Sequence, residues 1–283
     1  MSCRTLDFYL YFIIFVKKNM KYKYNLKAFE EITNESAYFL GLLYADGNLS
    51  DRGRVTLNLS IKDIELVYKF IKFLGTDKPL SIIKKTNSVS FSFQNKLITK
   101  QLINLGLKPR KSLILKFPNF IDSLFLKDFI RGYFDGDGSV SLKKRKTTSN
   151  IRVHLVGTFD MLFNIQKHLI KLYNINETKI GQITKNKNTF QLEIRNKKDV
   201  IIFKNFLYDG SNLYLERKKD IFDVDTTLKN VDSNTTSRYR NVCFNKRTKR
   251  WRAAYYLNNI RKEKSFPTEE EAFNFLNSED YFL

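Results

Sequence analysis

Two short stretches of this chain end in an acid followed by glycine: YFLGLLYADGNLS at 38–50 and FIRGYFDGDGSVS at 129–141. In each, an apolar run of helical periodicity leads to a small residue, an aspartate and a glycine, so Asp46 and Asp137 stand at expected helix C-termini. A helix C-terminus carries partial negative charge and unpaired carbonyls, and it attracts cations. Two such ends brought together would put two carboxylates and several carbonyl oxygens at one point, a donor set suited to Mg²⁺ or Mn²⁺. A hard cation held between carboxylates and a phosphodiester can activate water and stabilise the leaving oxygen. One A-D-G at a helix end is commonplace. The weight lies in the repetition.

The elements that must position these acids repeat as well. Gly41 and Ala45 stand at i and i+4, and Gly132 and Gly136 occupy the same offsets in the second copy. Small residues on one face let two helices approach almost backbone to backbone, so these four are the expected helix interface. Asp46 and Asp137 lie 91 residues apart (46 to 137), and similar patterns follow each. After the first come GRVTLNLS, a helical stretch from Asp63 to Leu74, SIIKK, SVSFSF and a helix leading to LGLKPRKS. After the second come IRVHLVGT, a helical stretch from Asp160 to Tyr173, KIGQITK, TFQLEIR and a helix leading to YLERKK. Alternation of period two marks the strands and period 3.6 the helices. The expected class is α+β, a pseudo-twofold duplication of αββαββα.

Its boundaries are read as an N-terminal extension at 1–33, a first repeat at 34–124 and a second at 125–230. A polar linker follows at 231–236, then a small module at 237–283 made of three antiparallel strands and one helix. In that module Thr268 is the expected N-cap, with Glu269 to Glu271 in the first turn. Alternation along RWRAAYYL puts Trp251, Ala253, Tyr255 and Leu257 on one face and turns Arg250 and Arg252 outward.

Bulk properties narrow the partners. Fifty Lys and Arg against 29 Asp and Glu give a net charge of +21, which concentrates polyanions and makes nucleic acid the expected partner. Cys3, Cys243, His154 and His168 are too few for a disulfide framework or a Cys/His zinc site, and both histidines read as structural. The apolar run from Leu6 to Val16 is too short to span a bilayer and lacks a signal-peptide cleavage site, so no membrane role is expected. The protein is expected to be a monomer and intracellular rather than secreted. A bias to Lys, Asn, Ile, Phe and Tyr resembles AT-rich coding, which points to an organelle (mitochondrion or plastid), phage or virus.

FLGLLYADG at 39–47 and IRGYFDGDG at 130–138 resemble the LAGLIDADG signature of homing endonucleases. The resemblance covers residues 34 to 230. It implies a single-chain enzyme whose paired helices lie between two saddle-like sheets and which cuts both strands of a specific DNA site, promoting mobility of a host intron or free-standing gene. It further implies that Asp46 and Asp137 bind the catalytic metal, with Ala45 and Gly136 supplying backbone carbonyls. At the sixth motif position Asp135 keeps the family's acid, whereas Tyr44 replaces it. The family's basic residue near each scissile phosphate carries over to Lys111 and Lys218, in GLKPRKS and YLERKKD. The same family contains RNA maturases that assist intron splicing, so intron RNA is the alternative partner; a catalytically inactive DNA-binding regulator is a further alternative.

DNA contacts are expected at the hairpin tips: Arg52 and Arg54, Lys84 and Lys85, Lys143, Lys144 and Arg145, and Lys185 and Lys187. SRYRNV, WRA and FPTEEEA resemble the Apetala-two/ethylene-response-factor DNA-binding module, which adds Arg238, Arg240, Arg250 and Arg252 to the expected contacts.

Overall fold

Thr33 starts the first core helix. Its hydroxyl accepts from the Ser36 amide at 3.1 Å while the Ser36 hydroxyl accepts from the Thr33 amide at 2.7 Å, a reciprocal cap that satisfies two otherwise unpaired donors. The helix it opens, α1 (Asn34–Ala45), is buried continuously from Ser36 to Tyr44. A helix apolar all round belongs in an interior, with no solvent face to keep polar. The computed structural model describes residues 21–144, 149–175, 178–183, 188–226, 237, 242–257 and 260–277.

Beyond α1 the first half runs β1 (Gly47–Leu49), β2 (Val55–Ser60), α2 (Ile64–Phe73), β3 (Ser81–Ile83), β4 (Ser88–Phe93) and α3 (Lys96–Asn104). The second half repeats the order with α4 (Ser123–Asp137), β5 (Gly138–Lys144), β6 (Ser149–Gly157), α5 (Phe159–Tyr173), β7 (Thr178–Gln182), β8 (Phe190–Ile194) and α6 (Lys197–Tyr208). It then adds α7 (Glu216–Thr226), where the first half has only a single 3₁₀ turn at Lys111–Leu113. Both sheets are antiparallel and share one strand order, β1-β2-β4-β3 and β5-β6-β8-β7. The duplication read from the sequence is thus present in the topology. The β5–β6 hairpin is the longer, pairing from Gly138↔Leu155 to Lys144↔Ser149, against three pairs between β1 and β2.

In β2 and β4 every second residue is buried (Val55, Leu57, Leu59; Val89, Phe91, Phe93), so each strand gives one face to the core and one to solvent. Leu66, Val67 and Phe70 of α2 and Ile98 and Leu102 of α3 complete the packing. One apolar cluster runs through both halves, so they share a core. No helix among the described residues is long and apolar enough to cross a membrane.

An ion pair also ties the halves together. Arg217 donates from Nε to Asp63 Oδ1 at 2.8 Å and from Nη2 to Oδ2 at 3.0 Å, across 154 residues of sequence. Asp63 is buried and Arg217 half-exposed. We expect Arg217→Ala to destabilise the protein by about 1–2 kcal/mol, less than a fully buried pair because water still reaches the guanidinium. In a denaturation double-mutant cycle, Asp63→Ala should recover part of that loss; strictly additive effects would show that the two do not act as a pair.

The chain divides into compact units at 1–226 and 227–283. In the second unit β9 (Val242–Asn245), β10 (Arg250–Leu257) and β11 (Ile260–Phe266) form a sheet of order β11-β10-β9, followed by α8 (Glu269–Asn277). The Thr268 hydroxyl accepts from the Glu271 amide at 3.2 Å, capping α8 as expected. Val242, Ala253, Ala272 and Phe275 form its core, flanked by Trp251, Tyr255 and Phe266.

Candidate active site at the helix junction

The two halves meet along α1 and α4, and glycine sets how closely. A Cβ on Gly132 would stand 1.9 Å from the Tyr38 carbonyl oxygen, and one on Gly41 would stand 2.1 Å from that of Phe129. The two backbones touch at both glycines. One turn further on, a Cβ on Gly136 would lie 2.2 Å from that of Ala45 and 3.2 Å from Asp46 Oδ2. The small faces therefore bring the helix ends side by side, and the Asp46 carboxylate reaches toward the opposite helix.

Asp46 ends α1, its amide still bonded to the Leu42 carbonyl at 2.9 Å, and Asp137 ends α4. The surrounding protein mass raises the Asp137 carboxyl to about 6, and the nearby Asp46 charge adds to this; Lys111 and Lys218 pull the other way. Asp46 is raised as well, chiefly by desolvation, although its side chain reaches solvent. The lysine charges oppose that shift. Two carboxylates thus share a place where each is costly to ionise without a cation.

Lys111 and Lys218 are not solvated surface lysines. Both are buried. Lys111 Nζ donates to the Ala45 carbonyl at 2.6 Å. Lys218 Nζ lies against the carbonyls of Phe134 (2.8 Å), Asp135 (2.6 Å), Gly136 (3.2 Å) and Gly138 (2.6 Å). Each ammonium sits where the helix dipole is negative and bonds to carbonyls at the helix end, some of which have no partner within the helix. Burial lowers both lysines, Lys218 to about 8, while Asp46 and Asp137 act to raise them. The carbonyls of Ala45 and Gly136, expected to face a metal, here each accept from a lysine.

The sixth motif positions serve the scaffold. Asp135 is buried, and its Oδ2 accepts from the Tyr38 hydroxyl at 2.6 Å and the Leu215 amide at 2.8 Å. Tyr44 in the other copy donates its hydroxyl to the Leu105 carbonyl at 2.6 Å. Neither partner was legible in the sequence.

The expected DNA contacts divide by position. Arg52 and Arg54 are exposed on the β1–β2 turn, which is held by Gln94 Nε2 on the Arg52 carbonyl (2.7 Å) and Thr99 Oγ1 on the Gly53 carbonyl (3.0 Å). Lys84 and Lys85 are exposed on a 3₁₀ turn between β3 and β4, which closes on Asn87 in the left-handed region. Lys143 and Lys144 end β5. Arg145, Lys185, Lys187, Arg238 and Arg240 lie outside the described residues. Arg250 is exposed at the start of β10, whereas Arg252 donates to Glu263 at 2.8 Å. Of the histidines, His168 stacks on Phe117 in a packing role, and His154 stands on the open face of the second sheet.

Residues 125–207 match the LAGLIDADG-like domain family, a span that runs from α4 to α6 and leaves the first repeat outside. The DNA-directed RNA polymerase subunit Rpo1C of Methanocaldococcus jannaschii is 26% identical over 205 residues, 69% of this chain. The chain spans only 22% of that subunit's length. Among solved structures, the I-SmaMI LAGLIDADG homing endonuclease bound to cleaved DNA has 12% identity and a TM-score of 0.50, over 69% of this chain and 88% of that one. Meganuclease I-SmaMI bound to uncleaveable DNA has 11% identity, the same TM-score and the same shares. At such identities the likeness establishes a LAGLIDADG-like fold.

Proposed function

We propose that the chain is a site-specific double-strand DNA endonuclease of the homing type, acting with Mg²⁺ or Mn²⁺. The observation that carries this reading is the pairing of Asp46 and Asp137 at one junction with a buried lysine behind each helix end. The residues fit a hard cation: two neighbouring carboxylates, with Asp46 adding to the cost of ionising Asp137, while the main-chain oxygens of Ala45 and Gly136 are turned to the two lysines. Among the described residues no group of three or more His, Cys, Asp and Glu is placed to hold a metal, so water and phosphate oxygens would complete the set. When bound, the ion would supply an activated water and charge stabilisation at the leaving oxygen. Asp46 and Asp137 would hold it. Lys111 and Lys218 keep the helix-end carbonyls oriented and place positive charge beside the scissile phosphates.

The +21 charge supports a DNA partner, and so do the exposed basic turns. The C-terminal unit would extend the footprint through the outward face of β10, with Arg250 foremost, in the manner of an Apetala-two/ethylene-response-factor module.

The test joins the DNA flanking this reading frame into an uninterrupted plasmid target. The full-length protein is expected to linearise it with Mg²⁺ and not with chelator. The double variant Asp46→Asn, Asp137→Asn should bind the target without cutting it. Equal cutting by that variant would show that the metal site is misassigned. Splicing stimulation that survives in it would favour an RNA role.

A further inference from the structure

The two sheets present opposite chemistry on their open faces. The four strands of the first sheet contain no ionisable residue; Thr56↔Ser92 and Asn58↔Ser90 pair across its open side. The second sheet carries Arg152, His154, Lys179 and Glu193 on its strands, with Arg195 immediately after β8. Arg195 stands one residue beyond the last pair, Val153↔Ile194, at the end of the ladder next to Arg152. Neighbouring like charges repel. Here Glu193 lies between them, accepting from Arg152 Nη1 at 3.3 Å and from Arg195 Nη2 at 2.5 Å. Its carboxylate is covered by these guanidiniums, and Arg195 foremost holds it below the usual carboxylate range. A shallow groove of about 240 Å³ runs beside this cluster, bordered by Lys179, Gln191, Glu193 and Arg195.

Each guanidinium has five N–H donors and meets Glu193 through one nitrogen. The Arg152 side chain is 38% exposed and that of Arg195 is 54% exposed, so both forks reach solvent from a braced position. Guanine in the major groove offers O6 and N7 as a paired acceptor that matches such a fork. The hydroxyls of Thr56, Ser90 and Ser92 on the first sheet can bond to several bases and discriminate less sharply, and Asn58 suits adenine rather than guanine.

We infer that Arg152 and Arg195, braced by Glu193, are the principal sequence-reading residues of this chain, and that recognition is lopsided. The strands of the second sheet specify their half-site at guanines, and the strands of the first sheet, with hydroxyls and one amide, constrain theirs less and carry no guanine reader. This rests on the proposed DNA-binding role and adds to it which half reads, with which groups, and which base. Glu193 is a positioning residue.

The test is selection of bound duplexes from a randomised DNA library by the full-length protein in chelator, so that binding is read without cleavage. The expected result is a site with strong guanine preference confined to one half. Arg152→Ala and Arg195→Ala should each lower discrimination at one guanine by about tenfold or more, leaving the other half-site's pattern unchanged. Glu193→Gln should weaken discrimination at both guanines while raising affinity for random DNA, because a negative charge facing phosphate is lost. A purely structural Glu193 would lower all binding together and leave the selected sequence unaltered. Equal information in both halves, or guanine preference that survives both arginine variants, overturns the inference while DNA binding stands. Failure to retain any DNA overturns the proposed function and this inference with it.

Discussion

Replacing Asp46 alone with asparagine is expected to lower nicking and linearisation together, each by at least about a hundredfold, rather than to leave an enzyme that nicks one strand. The two acids are one electrostatic unit. The Asp46 charge raises Asp137, and Lys111 and Lys218 are each influenced by both carboxylates. Removing one charge therefore changes the field at both helix ends. Asparagine keeps the shape of the side chain, and Asp46 is exposed at the helix end, so folding should be unaffected. Duplexes labelled on one strand or the other, with circular dichroism as a folding control, give the measurement. Full-rate cutting of one strand would mean two independent sites.

Gly132→Val is expected to cost more than about 3 kcal/mol and to leave most of the protein unfolded in mild urea. The new Cβ would fall on the Tyr38 carbonyl oxygen at 1.9 Å. That oxygen belongs to backbone in the middle of α1 and has no rotamer through which to escape. Relief would require the helices to separate, which would open the shared core and pull Asp46 away from Asp137. Gly181→Ala is the matched control, with nothing within 4 Å of its Cβ, and it should stay within about 0.5 kcal/mol of the parent. Similar urea midpoints for the two variants would contradict the close helix contact.

What was legible in the sequence depends on the range of each interaction. Gly41, Ala45, Gly132 and Gly136 were legible because helical spacing is local and the motif occurs twice. Lys111 and Lys218 could be located by the repeat, but their burial against helix carbonyls could not, since nothing local distinguishes a capping lysine from a solvated one. The Arg217–Asp63 and Tyr38–Asp135 contacts join residues 154 and 97 positions apart, and only the docking of the halves reveals them. The contrast between the sheets was written in the strands all along, SVSFSF against FQLEIR.

The sixth motif positions bear on how this protein can be re-engineered. In one repeat Tyr44 donates a hydrogen bond to a carbonyl, and in the other Asp135 accepts one from an amide. Donor and acceptor have exchanged places between halves that otherwise share a topology. An aspartate at position 44 would set acceptor against the Leu105 carbonyl, and a tyrosine at position 135 would take away the carboxylate on which the Tyr38 hydroxyl and the Leu215 amide converge. The repeats have become non-interchangeable parts: a symmetric protein made from two copies of one half would need the motif and its distant partner loop transplanted as a set.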